Sequence, residues 1–272
     1  MSLNAEVATI TLDQPNIRNA QNPLTWTAIV AAVNALPGTV RVLLVRGEGS
    51  SFSAGLDRRM LSPDGIPGVR NLAQLASASP TDASAEIAGF QEAFGVFARP
   101  GLVSIALVQG HAVGAGFQLA LACDIRFAAE DAQFTMAEVN LGLVPDLGGT
   151  KRLIELVGYS RAAAICLTGI PIPAADADRM GLVSAVVPGD QLEAAGQQFI
   201  DRIRSLSRTA VTEIKALLLQ AADRTQSEQE RAEREAQHRQ LRLLAGYEAE
   251  DGDDRAGPVD SPGRPAGYEA ED

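Results

Sequence analysis

Cysteine, histidine, aromatic residues and basic charge are all in short supply in this chain. Two cysteines, Cys123 and Cys166, occur in 272 residues. Two cannot make a disulfide framework, and no CxxC or Cys/His cluster exists, so a reduced cytoplasmic setting is expected. Histidine also occurs twice, at His111 and His238. A His-rich metal site is thereby excluded, no metal is expected, and a Ser-His-Asp triad would have to use one of the two. Aromatics are 4% of the chain, which predicts a core of Ala, Val, Leu and Ile. The 23 Lys and Arg against 34 Asp and Glu leave a net charge of −11. That excludes a general nucleic-acid binder, which needs a basic surface to displace counterions from phosphate. No apolar run reaches about 18 residues, so no membrane span is expected. The opening MSLNAEVATITL lacks the basic-then-apolar order of a secretory signal.

Several motifs are missing too. No GxSxG elbow is present. In GGTK (148–151) the Lys follows the Thr, so this is not a phosphate-binding loop. In GHAVGAG (110–116) the glycines fall at the wrong offsets for GxGxxG, and a dinucleotide fold is weakly supported.

What remains is an ordinary globular composition, 46% hydrophobic and 21% charged, of a length that suggests one globular unit with an appended segment. Strand and helix signals alternate over residues 1–190, which argues for α/β architecture. VATITL (7–12), RVLLVRG (41–47), LVSIALVQG (102–110), IRFAAE (125–130) and LVSAVV (182–187) read as strands. Pro23 to Ala35, with Asn22 or Gln21 at its cap, and 86–99, 115–124, 148–158 and 160–169 read as helices. Residues 61–85, with Pro63, Pro67 and Pro80, read as loop. From 191 to 245 the pattern is all helical, and the last stretch, Ser227 to Leu244, is laced with i,i+4 ion pairs over a weak apolar face. It is expected to be solvated or to pack on a partner subunit. Residues 246–272 carry nine acids against two arginines, three prolines and a repeat of GYEAED. With so little to bury, this segment reads as a mobile tail, or else as a docking peptide.

Two strand–turn–helix junctions stand out, LLVRGEGSSFSAGLD and SIALVQGHAVGAGFQLALACD. Small residues allow close backbone approach, and a helix start leaves N–H groups free to donate. Two such junctions facing one point would make an oxyanion hole. Each could also be no more than a tight turn.

SFSAGLD, the stretch GHAVGAGFQLALACDIRFAAEDAQFTMAEVNLGLVPDLGGTKRL and the later MGLVSAVV resemble the crotonase (enoyl-CoA hydratase/isomerase) superfamily, and RNA within PNIRNAQN (15–22) is similar to its early CoA-side motif. The likeness spans about residues 5–245. It implies a crotonase-like spiral of repeated ββα units with a C-terminal helical trimerisation region, a homotrimer or dimer of trimers, and acyl-CoA thioester substrates. No cofactor is implied beyond the coenzyme A carried by the substrate.

Carried over residue by residue, the resemblance places the two oxyanion N–H donors on Leu56 and Ala115, each worth about 3–4 kcal/mol by analogy with measured cases. It places CoA-side positions on Arg18, Ala20, Ala54 and Asp57, with Arg18 the best phosphate contact. Arg58 and Arg59 are weaker candidates, and Arg239 or Arg242 could reach a neighbour's CoA. Hydratases of this family use two glutamates. One is retained as Glu138, and the other position is Gln118, expected to position water or substrate. An amide holds a water but accepts no proton near neutral pH. Asp146 matches an Asp of members that move double bonds, although it could equally cap the helix starting near Gly148. Glu138 with Asp146 therefore puts double-bond isomerisation of enoyl- or dienoyl-CoA first. Hydration of 2-enoyl-CoA, thioester hydrolysis with Asp146 as nucleophile, and non-catalytic acyl-CoA binding are the alternatives. His111 is expected to be a hydrogen-bonded structural residue, His238 to be exposed, and Trp26 and Tyr159 to serve packing.

Overall fold

Runs of Val, Leu and Ile with no polar alternation form strands buried on both faces, the pattern of a parallel sheet covered on each side. In the computed structural model, which describes residues 1–247, six strands form such a sheet in the order β1-β2-β3-β4-β6-β9. They are β1 (Ser2–Asn4), β2 (Val7–Leu12), β3 (Val42–Gly47), β4 (Val103–Val108), β6 (Ile125–Ala129) and β9 (Ala185–Val187). Only the β1–β2 pair is antiparallel. A second sheet pairs β5 (His111–Val113) with β7 (Gln133–Thr135) in parallel and β7 with β8 (Ile172–Pro173) antiparallel. Isolated bridges Gln21–Leu56 and Ser53–Ala112 extend its line.

These pairings make each step of the spiral one long strand, one short strand or bridge, and then a helix. β2, Gln21 and α1 (Pro23–Asn34) form one such unit. β3, the Ser53–Leu56 segment, α2 (Leu72–Ala76) and α3 (Pro80–Gly95) form the next. β4, β5 and α4 (Ala115–Ala122) follow, then β6, β7, α5 (Gly149–Val157) and α6 (Tyr159–Thr168). This is the repeated ββα arrangement expected. After α7 (Ala174–Met180) and β9 come α8 (Leu192–Arg204), α9 (Arg208–Gln220) and α10 (Gln226–Leu244).

The sheet divides the apolar interior. Ala8, Leu43, Val45 and Ala106 face a large cluster with α1, α3, α4 and α5. Val42, Leu44, Ile105, Leu107 and Phe127 face α8 through Leu192 and Ile200. Several of the few aromatics lie inside: Phe52, Phe97, Phe117 and Phe134 are fully buried, so the core is not aliphatic alone.

Other departures from the sequence reading have local causes. Residues 61–85 are not all loop. Asn71 caps α2 with a reciprocal Gln74 capping box, and Ser79 caps α3 with Pro80 in the first turn, where its missing N–H costs nothing. α3 therefore starts at Pro80, before residue 86, and ends at Gly95. α10 packs on α9 of its own chain, with Arg239 donating to Glu213 at 2.6 and 2.8 Å and Ala236 buried. Tyr159 is exposed and not part of the core. Residues 248–272, most of the acidic segment 246–272, lie outside the described residues. Among the described residues no helix is long and apolar enough to cross a membrane.

Candidate active site

The register of the second sheet places the two glycine junctions side by side. Ser53 and Ala112 are parallel partners, with Ser53 N–H donating to His111 O at 2.9 Å and Val113 N–H donating to Ser53 O at 3.0 Å. Leu56 and Ala115 each lie three residues further on, so equivalent positions of adjacent units meet. Gly55 has φ +82°, and a Cβ there would stand 2.3 Å from Val113 O and 3.5 Å from Ala115 N. Only glycine lets the turns approach so closely. Among the described residues, neither the Leu56 nor the Ala115 N–H donates to a backbone carbonyl. Ala115 is the first residue of α4, where an unpaired N–H is inherent to the helix.

Buried polar side chains lock the first junction. Ser53 Oγ donates to Asn19 O at 2.7 Å and accepts Gly55 N–H at 3.2 Å. Gln21, fully buried, donates to Ser53 Oγ at 3.0 Å and accepts Trp26 Nε1–H at 2.9 Å. Asn19 donates to the carbonyls of Glu48 and Ser51 at 2.9 and 2.8 Å. Sequence reasoning did not single out Asn19, Gln21 or Ser53 as builders of the turn. Their presence among the small residues of RNAQN and SFSAG was the only available signal.

The residues that the resemblance assigns to the CoA side lie together. Ala54 N–H donates to Arg18 O at 2.7 Å, Gln21 N–H to Gly55 O at 2.6 Å and Asp57 N–H to Gln21 O at 2.7 Å. The 18–21 and 54–57 segments, which carry Ala20 and Asp57, thus run alongside each other. Arg18 is exposed with φ +50°. The Asp57 carboxylate is committed to Arg59 at 2.6 Å, and that guanidinium holds it below the usual carboxylate range. Arg59 is therefore an internal partner of Asp57, while Arg58 is exposed. Arg239 is held by Glu213, and Arg242 lies over the Tyr247 ring at 5.1 Å.

Glu138 opens a short 3₁₀ turn (Glu138–Leu141) three residues past β7. Its carboxylate lies against the second junction, since a Cβ on Gly114 (φ +49°) would stand 3.2 Å from Oε1. Gln118 Nε2 donates to Glu138 Oε1 at 2.7 Å, and the buried Oε2 has no hydrogen-bond partner among the described residues. Burial pushes the Glu138 carboxyl above its ordinary range; its own N–H and the Gln118 amide pull it down, and the Asp146 charge pushes it up again. Asp146, half-buried, is also raised by burial.

Gln118 is nearly saturated. Its carbonyl accepts the N–H groups of Leu147 at 3.0 Å and Gly149 at 3.1 Å, and one of its two N–H bonds goes to Glu138. Gln118 thus positions Glu138 and the start of α5, and a single N–H is left for water. Asp146 caps nothing: Gly148 is the N-cap of α5 and there is no side-chain cap. Gln118 takes over the capping of α5 from a neighbouring helix. The Asp146 backbone is tied to α3, its carbonyl accepting Gln91 Nε2–H at 2.7 Å. His111 is exposed on β5, its Nδ1 lying 3.3 Å from Ser51 Oγ. His238 also lies on an exposed part of its helix. Trp26 packs against Phe90 and Phe94. Among the described residues no group of three or more His, Cys, Asp or Glu could hold a metal ion.

A family model described as enoyl-CoA hydratase/isomerase matches residues 2–243. A Thermobifida fusca YX protein assigned as an enoyl-CoA hydratase, solved with CoA, superposes with a TM-score of 0.85 at 41% identity, covering 90% of this chain and 93% of that one. The same protein solved with acetoacetyl-CoA gives a TM-score of 0.85, again at 41% identity, over 90% of this chain and 94% of that one. The 2,3-dehydroadipyl-CoA hydratase of Escherichia coli (strain K12) is 32% identical over 225 residues, 82% of each chain.

Proposed function

The chain belongs to the enoyl-CoA hydratase/isomerase family, and from that premise we propose that it adds water across the double bond of 2-enoyl-CoA thioesters with Glu138 as its one proton-shuttling carboxylate. The observation that carries a proton-transfer role is the state of that side chain. One oxygen is held by Gln118, and the other is buried and unpartnered beside the Gly114 turn. Hydration is put ahead of isomerisation because the relatives bear hydratase names, the Escherichia coli protein among them. CoA binding is supported by the Thermobifida fusca structure with CoA.

In this reading Leu56 and Ala115 N–H groups donate to the thioester oxygen. Arg18 meets the CoA phosphates. As a water oxygen bonds to C3, its proton passes to Glu138 Oε2 and the double-bond electrons move to C2 and the carbonyl. The oxyanion is stabilised by donors that need not reorganise. Glu138 then returns the proton to C2, leaving a 3-hydroxyacyl-CoA and a carboxylate as at the start. Burial suits both halves, since a raised carboxyl is a better base and a weak enough acid to be refilled.

The Gln118 amide favours a second reading, double-bond migration. With no second carboxylate at that position, Glu138 could remove a proton from one carbon and return it to another, with Asp146 assisting at the far end. Incubation with 2-enoyl- and 3-enoyl-CoA thioesters in D₂O, followed by mass spectrometry, separates the two. Hydration adds the mass of water; migration adds deuterium alone. Acyl-CoA binding with neither product would overturn both. The assembly is read as a homotrimer or dimer of trimers, which sedimentation measures.

A further inference from the structure

α4 begins at Ala115 and is buried along all eight of its residues. Of its last carbonyls, Ala120 O accepts only a long bond from Cys123 N–H at 3.3 Å, and with no bulk water to turn to the rest need protein donors. Cations supply them. Arg126, 4% exposed, donates to Cys123 O at 2.6 Å and Ala120 O at 3.4 Å, and ties them to Leu182 O at 2.8 Å. Arg152, on α5, donates to Leu121 O at 3.3 Å and to Phe94 O of α3 at 3.1 Å. Just beyond the helix, Asp124 accepts from Ser104 N–H at 2.7 Å on β4 and from Lys215 Nζ at 2.7 Å on α9. Lys215 is 7% exposed and also reaches Phe97 O at 2.9 Å. Three cations and one carboxylate thus gather at the end of α4 that lies away from the glycine junction. Positive groups there also complement the helix dipole.

We propose that Arg126, Arg152 and Lys215 are positioning residues for the reaction, holding the carboxyl-terminal end of α4 so that Ala115 presents its N–H in the productive direction. The inference rests on the reading of Ala115 as an oxyanion donor. A two-turn helix has little stiffness of its own, and its direction is set by what grips each end. At the glycine end the grip is Gly114 N–H to Thr135 O at 2.8 Å and the close seat of Gly116 on Ser53. At the other end it is this cluster, which gathers β4, α3, α5 and α9 onto one helix. A donor displaced by about 1 Å costs on the order of 100-fold in rate.

The test compares Arg126→Gln, Arg126→Lys and Arg152→Met with Arg41→Met. Arg41 is a buried arginine that donates to Ile203, Arg204 and Leu206 carbonyls at the end of α8, away from α4. Tm, kcat and KM for a 2-enoyl-CoA are measured, together with the infrared carbonyl frequency of bound [1-¹³C]butyryl-CoA. The expected result is a kcat reduced about 10- to 100-fold in Arg126→Gln and Arg152→Met with KM within about twofold, partial rescue in Arg126→Lys, and a carbonyl red shift smaller than in wild type. Arg41→Met lowers Tm comparably but keeps kcat and the red shift. If Arg126→Gln fails to fold, Arg152→Met carries the same expectations. Variants that keep wild-type kcat and red shift, or an Arg41→Met that loses as much kcat, would overturn the proposal. If wild-type protein itself shows no red shift, the oxyanion reading fails instead.

Discussion

Gln118 donates its side-chain amide to Glu138 Oε1 at 2.7 Å while its carbonyl accepts two N–H groups at the start of α5. The amide dipole has one orientation that satisfies both sides: donor toward the carboxylate, acceptor toward the backbone. A carboxylate at 118 could accept the same two amides but would then face Glu138 with like charge. The pair therefore leaves Glu138 as the one carboxylate of the two, with Oε1 held by Gln118 against the glycine junction and Oε2 without a partner among the described residues.

Glu138→Gln should lower kcat by about 10²- to 10⁴-fold, the usual span for removing a positioned acid or base. Stability should hold or rise, because the substitution removes a desolvated carboxylate while an amide oxygen can still accept from Gln118. Steady-state kinetics alongside calorimetry checks both; a stable variant with wild-type kcat would eliminate Glu138 as the base.

The base must be ionised, so kcat/KM should fall with decreasing pH along a limb lying above the ordinary glutamate value of 4.5. Asp146 pushes Glu138 upward, so Asp146→Asn should move that limb to lower pH. Stability follows from the same raised carboxyl. The folded chain keeps the Glu138 proton where the unfolded chain has lost it, so this contribution is complete below pH 4.5 and is lost as pH rises through the raised value. Wild type should lose stability across that window relative to Glu138→Gln, as read by denaturant titrations at several pH values.

Gln118→Glu sets two carboxylates within hydrogen-bond distance. They would share one proton, and the pair should titrate with one value raised and one lowered. The acid limb should broaden into two steps, and the ratio of hydration to migration should rise as a second base becomes available. Gln118→Leu releases both Glu138 and the start of α5, and should lower kcat and Tm together.

Gly55→Ala places a Cβ 2.3 Å from Val113 O in a residue with φ +82°. Backbone strain of this kind costs about 1–3 kcal/mol, and relief requires the two junctions to part. Both Tm and kcat should drop. A variant of normal stability and rate would show that the two turns need not touch.

Arg18→Ala should raise KM for CoA thioesters several-fold with kcat unchanged, because a phosphate contact acts equally on ground and transition states. A short acyl-pantetheine substrate lacking the nucleotide phosphates should be insensitive to the substitution.

Sequence by itself determined the alternation of strands and helices, the glycine junctions and their likeness to a known family, because buried runs, helix caps and turn glycines are local properties. Leu56, Ala115 and Glu138 were assigned as a set by that likeness alone, through the motifs that match it. The short strands β5, β7 and β8, two or three residues each, were not legible, since so few residues show no periodicity. Tertiary structure alone decided that Asp146 caps nothing, that Gln118 does the capping, and that Asp124 meets Lys215 across 91 residues. Hydrogen-bond direction and the burial of charge depend on what the rest of the chain brings alongside, and no stretch of residues carries that information within itself.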